Sequence, residues 1–160
     1  MQLTLQQAME LFELSVFRAS FYICKNRQDA EDICQETFLE YHSTRKSFED
    51  EEHLKAWLLR VSINKSLNLC RSFWHKNRET LEDFEEALEQ APPEDSGLLT
   101  AVLELPKKCR VIIHLFYYED YSVKEISQLL RVSENTVKSQ LHRGRMLLKE
   151  KLKEGWSDDE

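Results

Sequence analysis

The sequence predicts an all-α protein of two small helical domains, the C-terminal one a helix-turn-helix, joined by an acidic linker. Three observations carry this prediction. Only three glycines (Gly97, Gly144, Gly155) and three prolines (Pro92, Pro93, Pro106) occur in 160 residues, too few for a β fold, in which nearly every strand ends in a turn. Apolar residues recur at helical spacing along most of the chain. The one stretch rich in turn formers, APPEDSG at 91–97, falls in a strongly acidic segment and so reads as a linker. The boundaries follow: 1–78 for the N-terminal domain, 79–97 for the linker, 98–154 for the C-terminal domain and 155–160 for an acidic tail.

The first helix is expected over residues 4 to 24, where Leu5, Ala8, Met9, Phe12, Val16, Ala19 and Ile23 form one apolar stripe. DAEDICQETFLEYH, residues 29 to 42, repeats the pattern with Ala30, Ile33, Cys34, Thr37, Phe38 and Tyr41. Its first-turn acids Asp29, Glu31 and Asp32 suit the positive end of a helix dipole. A third helix begins near Glu51 and carries Leu54, Trp57, Leu58 and Val61, and SINKSLNLCRSFWHK can continue it. Past the linker, residues 98 to 118 supply two apolar-striped helices separated near Pro106, a residue suited to a helix's first turn.

Ser122 followed by Glu125 is a capping-box pattern opening a short helix through Leu130. Ser133 offers a second N-cap after a turn of Arg131 to Ser133. Two helices joined so tightly, the second longer and basic, make a helix-turn-helix. At about 100° per residue, Val137, Leu141, Gly144 and Leu148 fall on one side of the second helix. Asn135, Thr136, Ser139, His142, Arg143 and Met146 fall on the other, with Lys138 and Arg145 towards a flank. Val132 and Val137 are expected to be buried about the turn. A polar outward face near the helix N-terminus is what a reader of the DNA major groove needs; a helical hairpin with a solvated face is the alternative.

Charge is partitioned along the chain. Residues 54–78 hold six bases and no acid, 79–97 eight acids and no base, and 98–154 eleven bases against seven acids. The net charge of −7 therefore does not exclude nucleic acid, because charges are screened over about 8 Å at physiological salt; the patches decide. In the first basic block Asn64, Lys65, Asn68, Arg71 and Lys76 accompany Phe73 and Trp74. Cations track a phosphate backbone, amides read base edges and aromatics stack on unpaired bases, although a basic amphipathic helix also serves as a plain solvated face.

Other chemistry is poorly supported. There is no HExxH, no glycine-rich phosphate loop and no nucleophile-elbow sequence, so no catalytic residue and no cofactor are expected. Glu31 and Asp32 are adjacent and diverge around a helix, so no metal site is expected there. Cys24, Cys34, Cys70 and Cys109 lack metal-ligand spacing and read as buried structural thiols. No apolar run approaches the roughly 18 residues that span a bilayer, and no signal-peptide pattern is present; the expected location is cytoplasmic.

DAEDICQETFLEYH, LKAWLLRVSINKSLNLCRS, LPKKCRVIIHLFYYEDYSVKEIS and SENTVKSQLHRGRMLLKEKL, in that order, resemble the extracytoplasmic-function group of bacterial RNA polymerase sigma factors. The resemblance implies a non-enzymatic subunit that joins core RNA polymerase, at its clamp helices and flap, and directs initiation at promoter DNA. It implies an N-terminal domain that captures the −10 element through Asn64, Lys65, Asn68 and Arg71, and docks on polymerase through Asp32, Gln35, Glu36 and Phe38. It places −35 readers at Lys138, Ser139, His142 and Arg143, inside the outward arc that also holds Asn135, Thr136 and Arg145. Gln140 stands where many members carry Arg, and Cys70 lies in a stretch often richer in Arg. An anti-sigma factor is the implied regulator. The acidic linker would thread the RNA exit path, its carboxylates mimicking RNA, or serve as a solubilising tether; Gln at Glu82, Asp83, Glu85 and Glu86 should alter abortive synthesis in the first case. A transcriptional regulator that uses the helix-turn-helix without joining polymerase is the alternative function.

Overall fold

A computed structural model describes residues 2–72 and 96–157, with side chains over 2–70 and 98–153. Linker residues 79–95, tail residues 158–160, Phe73, Trp74, Lys76 and the side chain of Arg71 lie outside the described residues. Every described element is a helix: α1 (Leu5–Cys24), α2 (Arg27–Ser43), α3 (Glu51–Ser72), α4 (Ser96–Leu103), α5 (Lys107–Tyr117), α6 (Val123–Leu130) and α7 (Glu134–Ser157). The chain divides into two compact units, the first holding α1–α3 and the second α4–α7.

In the first unit each helix packs on the other two. Thr4 and Gln7 form a reciprocal capping box at the start of α1, satisfying backbone N–H groups that helical bonding leaves open. Lys25 enters the left-handed region at φ 54° and ends α1, and the Asn26 side chain at once accepts from Asp29 N–H at 2.8 Å to open α2. Because stop and start are adjacent, α2 folds back along α1, and Ala8, Phe12 and Val16 meet Cys34, Phe38 and Tyr41 in one core. The Tyr41 hydroxyl reaches back to Leu3 O at 2.6 Å. Between α2 and α3, Phe48 enters the core against Tyr41 and Trp57, and Asp50 accepts from His53 N–H at 2.8 Å to cap α3. The expected third helix and its basic continuation as far as Ser72 are one uninterrupted 22-residue helix.

In the second unit α7 packs against α4, α5 and α6. Arg110 is buried, and its Nη1 donates to Leu103 O and Leu105 O at 3.1 and 3.2 Å. A buried guanidinium thus completes the open carbonyls where α4 ends, a favourable place for positive charge. Pro106 is the N-cap of α5, one position earlier than the first turn. Gly144 lies where α5 and α7 meet: a Cβ there would stand 2.8 Å from Ile113 Cγ1 and 3.5 Å from Cys109 Cβ. A side chain at 144 would push the two helices apart. All four cysteines are buried thiols, none in a disulfide.

The turn of the helix-turn-helix is built as its residues direct. Ser122 and Glu125 cap each other's backbone N–H at 3.1 and 3.0 Å. Arg131 takes φ 58° and ends α6, and the Ser127 hydroxyl donates to Val132 O at 2.7 Å. Ser133 Oγ accepts from Thr136 N–H at 3.0 Å and starts α7. Val132 is a correction to the sequence reading: it is 37% exposed, and Ile126 and Leu129 are buried beneath the turn instead. With Arg131 left-handed, the Val132 backbone faces α6, where its N–H bonds Ser127 O, and the side chain turns outward.

Candidate nucleic-acid interfaces

On α7 the described side chains separate cleanly. Val137, Leu141 and Gly144 are buried, whereas Asn135, Thr136, Lys138, Ser139, His142, Arg143 and Arg145 are all exposed. The core claims one stripe because Ile113, Ile126 and Leu129 cover it from α5 and α6. Beside exposed Glu134 and Met146, the outward face presents an amide, two hydroxyls, an imidazole and three cations, a set able to donate and accept at base edges and to pair with phosphates. The Thr136 hydroxyl is partly committed, lying 2.8 Å from Ser133 Oγ.

Two features of this face are not visible from α7 alone. Gln140 turns inward and its Oε1 accepts from the Cys109 thiol at 3.0 Å. The residue that departs from the sigma-factor pattern thus belongs to the α5–α7 contact. Burial raises the Cys109 thiol above its ordinary range, against the opposing pull of Arg143. Arg145 is held by α5: its Nε donates to the Tyr117 hydroxyl at 2.6 Å, and its guanidinium lies over the Phe116 and Tyr117 rings. Phe116 and Tyr117 have no local signal that would reveal this role, since the contact spans 28 residues of sequence.

The first unit carries two faces that meet. Asp32, Gln35 and Glu36 are exposed on α2, and Asn64 and Asn68 on α3. Lys65 bridges the helices, with Nζ 3.2 Å from Glu40 Oε2 and 3.9 Å from Glu36 Oε2. Asp29, Asp32, Ile33 and Glu36 of α2 face Lys65, Asn68 and Leu69 of α3 across a groove of about 310 Å³. One wall is acidic; the other offers a cation and an amide.

Phe38 leaves the expected docking set. It is 2% exposed and packs in the core with Phe12, Tyr41 and Leu54, because it lies on the apolar stripe that α2 turns toward α1. The apolar residue α2 shows at its surface is Leu39, 62% exposed, which stands three residues after Glu36 and four after Gln35. Nearby, Cys34 is pushed up to about 11 by burial and by the carboxylates of Glu13 and Glu31. Cys24 is pushed up further, by its contact with the Cys70 thiol and by burial. Protonated thiols of this kind are inert structural groups. Among the described residues no group of acids, histidines and cysteines is arranged to hold a metal ion, and no helix is long and apolar enough to cross a membrane.

Comparison with known proteins agrees with this architecture. Residues 10–76 match the family model Sigma-70 region 2, and residues 96–148 match Sigma-70, region 4. The ECF RNA polymerase sigma factor SigM of Bacillus subtilis (strain 168) is 30% identical, over 98% of this chain and 100% of its own length. SigW of the same organism is 26% identical over 91% of this chain and 87% of its own. A solved structure of the sigma factor RpoE in complex with the anti-sigma factor NepR, from Bartonella quintana, shares the fold. Its TM-score is 0.67 at 21% identity, covering 92% of this chain and 96% of that one. The chain belongs to the extracytoplasmic-function family of RNA polymerase sigma factors. It binds core RNA polymerase and promoter DNA and directs promoter-specific initiation, and it is not an enzyme. A regulator acting apart from polymerase is thereby set aside.

Proposed function

We propose that the two basic faces divide the promoter between them. The exposed arc of α7, Asn135, Thr136, Lys138, Ser139, His142, Arg143 and Arg145, reads the −35 element in the major groove. Lys138, Ser139, His142 and Arg143 meet base edges, and Arg145 meets a phosphate. Asn64, Lys65 and Asn68 on α3, with Arg71, capture the −10 element. Asp32, Gln35 and Glu36 on α2, with exposed Leu39 in place of Phe38, dock on the polymerase clamp helices, and the second domain touches the flap. The domain limits that serve this division are 1–78 and 98–154, around a linker at 79–97. An anti-sigma factor is the expected regulator, since a sigma factor of this fold has been captured with one, and the protein acts in the cytoplasm.

The observation that carries this reading is the α7 face: a polar, cationic surface presented by a helix whose start is fixed by the Ser133 cap and whose Val137, Leu141 and Gly144 are buried on the opposite side. The test is run-off transcription with core polymerase on a pooled genomic template. The protein should redirect initiation to a discrete set of start sites, and Arg143→Ala should abolish that selectivity while leaving polymerase binding intact. Unchanged start-site usage with Arg143→Ala would refute the assignment of the face.

A further inference from the structure

We propose that Phe116 and Tyr117, at the end of α5, position Arg145 for a duplex phosphate, so that the DNA interface extends beyond the helix-turn-helix to the helix before it. The proposal rests on the reading of the α7 face given above. Three contacts fix one guanidinium. Nε donates to the Tyr117 hydroxyl at 2.6 Å, and the guanidinium carbon lies 5.3 Å from the Phe116 ring centre and 5.6 Å from that of Tyr117. The two rings brace each other edge to face, their centres 5.0 Å apart.

The arrangement leaves the binding edge open. A guanidinium has five N–H donors in a planar fork; Nε is taken, and the four on the two Nη atoms remain. Among the described residues no carboxylate pairs with Arg145, which is exposed. The Tyr117 hydroxyl accepts from Nε and so fixes the plane of the fork, whose open Nη edge matches the oxygens of a phosphate. Arg145 stands seven residues after Lys138, two turns along the same stripe and about 10 Å further on, so the two cations lie in a row on the flank of the reading face.

Stability does not account for the cluster. An exposed cation–π contact is weak, and an arginine tied down loses rotamer freedom of comparable size. Tyr117 remains 51% exposed, so little apolar surface is gained. The net effect on folding is small; the effect on direction is large. An unrestrained arginine would lose that freedom on meeting DNA, and here it is lost beforehand.

The test uses the full chain bound to core polymerase, with a short duplex enriched from a random pool by the wild-type complex as probe. Affinity is measured between about 50 and 200 mM salt. Arg145→Ala should lower the slope of log K against log salt by about 0.9, one phosphate contact. Tyr117→Phe keeps the ring and removes the hydroxyl; it should weaken binding roughly two- to tenfold. In an Arg145→Ala background the same substitution should have no effect. Equal loss in both backgrounds, or no loss in either, would overturn the proposal, while Lys138→Ala and Arg143→Ala still weaken binding. If those two also bind like wild type, the reading of the face fails and the proposal goes with it.

Discussion

Gly144 shows how one missing side chain sets the contact between α5 and α7. Alanine is favoured over glycine inside a helix by about 1 kcal/mol. The added Cβ, however, would stand 2.8 Å from Ile113 Cγ1, and overpacking a tight contact costs about 1–3 kcal/mol. Since Ile113 is buried and branched close to the backbone, the clash wins. Gly144→Ala should lower the urea midpoint of the second unit, and Gly144→Val should lower it further. Cys34 gives a pH signature. Its thiol ionises near 11 when folded, above its ordinary value of 9.0, so its contribution to stability is whole below pH 9 and fades as pH rises through 11. Urea titrations of wild type and Cys34→Ala should therefore keep a constant difference up to about pH 9 and converge above it. Single residues were unevenly legible in the sequence. The core stripes were readable because helical spacing is local. Phe38 falls on the apolar stripe by its spacing and on the docking face only by resemblance, and a residue that packs against Phe12 has no surface left for a partner.

At the scale of elements, what caps a helix was readable and what crosses between helices was not. Ser122, Glu125 and Ser133 sit three residues or fewer from the groups they satisfy, so their pattern is written in consecutive sequence. Ser122→Ala should cost about 1 kcal/mol in the thermal unfolding of the second unit, because the backbone N–H of Glu125 loses its acceptor. The bridge from Lys65 to Glu36 and Glu40 joins residues more than two dozen positions apart, and the Arg145–Tyr117 clamp does the same in the second unit. No periodicity encodes such contacts. The Lys65 bridge has a consequence for the proposed −10 face, since the cation meant for phosphate is shared with acids of the neighbouring helix. Exposed pairs of this kind contribute about 0.2–1 kcal/mol. Glu40→Gln should thus raise the affinity of the free chain for a labelled single-stranded oligonucleotide by roughly 1.5- to 5-fold at low salt. Fluorescence anisotropy would show it, and an unchanged affinity would mean that Lys65 does not meet the strand.

The whole molecule combines cationic faces with an anionic total, and this too was legible, because composition by segment needs no structure. Non-specific DNA binding is chiefly electrostatic, so an acidic chain carrying basic patches keeps weak affinity for arbitrary duplex while its local faces stay competent. Changing Glu82, Asp83, Glu85 and Glu86 to glutamine removes four negative charges from the sequence. That variant should bind random duplex more tightly at low salt, and the gain should vanish as salt rises. Equal binding by the two proteins at low salt would show that the linker's charge does not act on the field of the whole chain. The division into two helical units was readable from the acidic, proline-containing segment at 79–97. Which side chains each unit shows to a partner was not, since that depends on how neighbouring helices cover one another.

The absent Cβ at 144 also bears on how a target site is chosen. At this point α7, the helix proposed to read the −35 element, rests directly on Ile113 of α5, with no side chain between to cushion a shift. On that reading, misfit at a promoter falls on the duplex, through groove width and bending, whose cost depends on base sequence at positions no side chain reaches. A stiff reader of this kind discriminates among sites by their mechanics as well as by their letters.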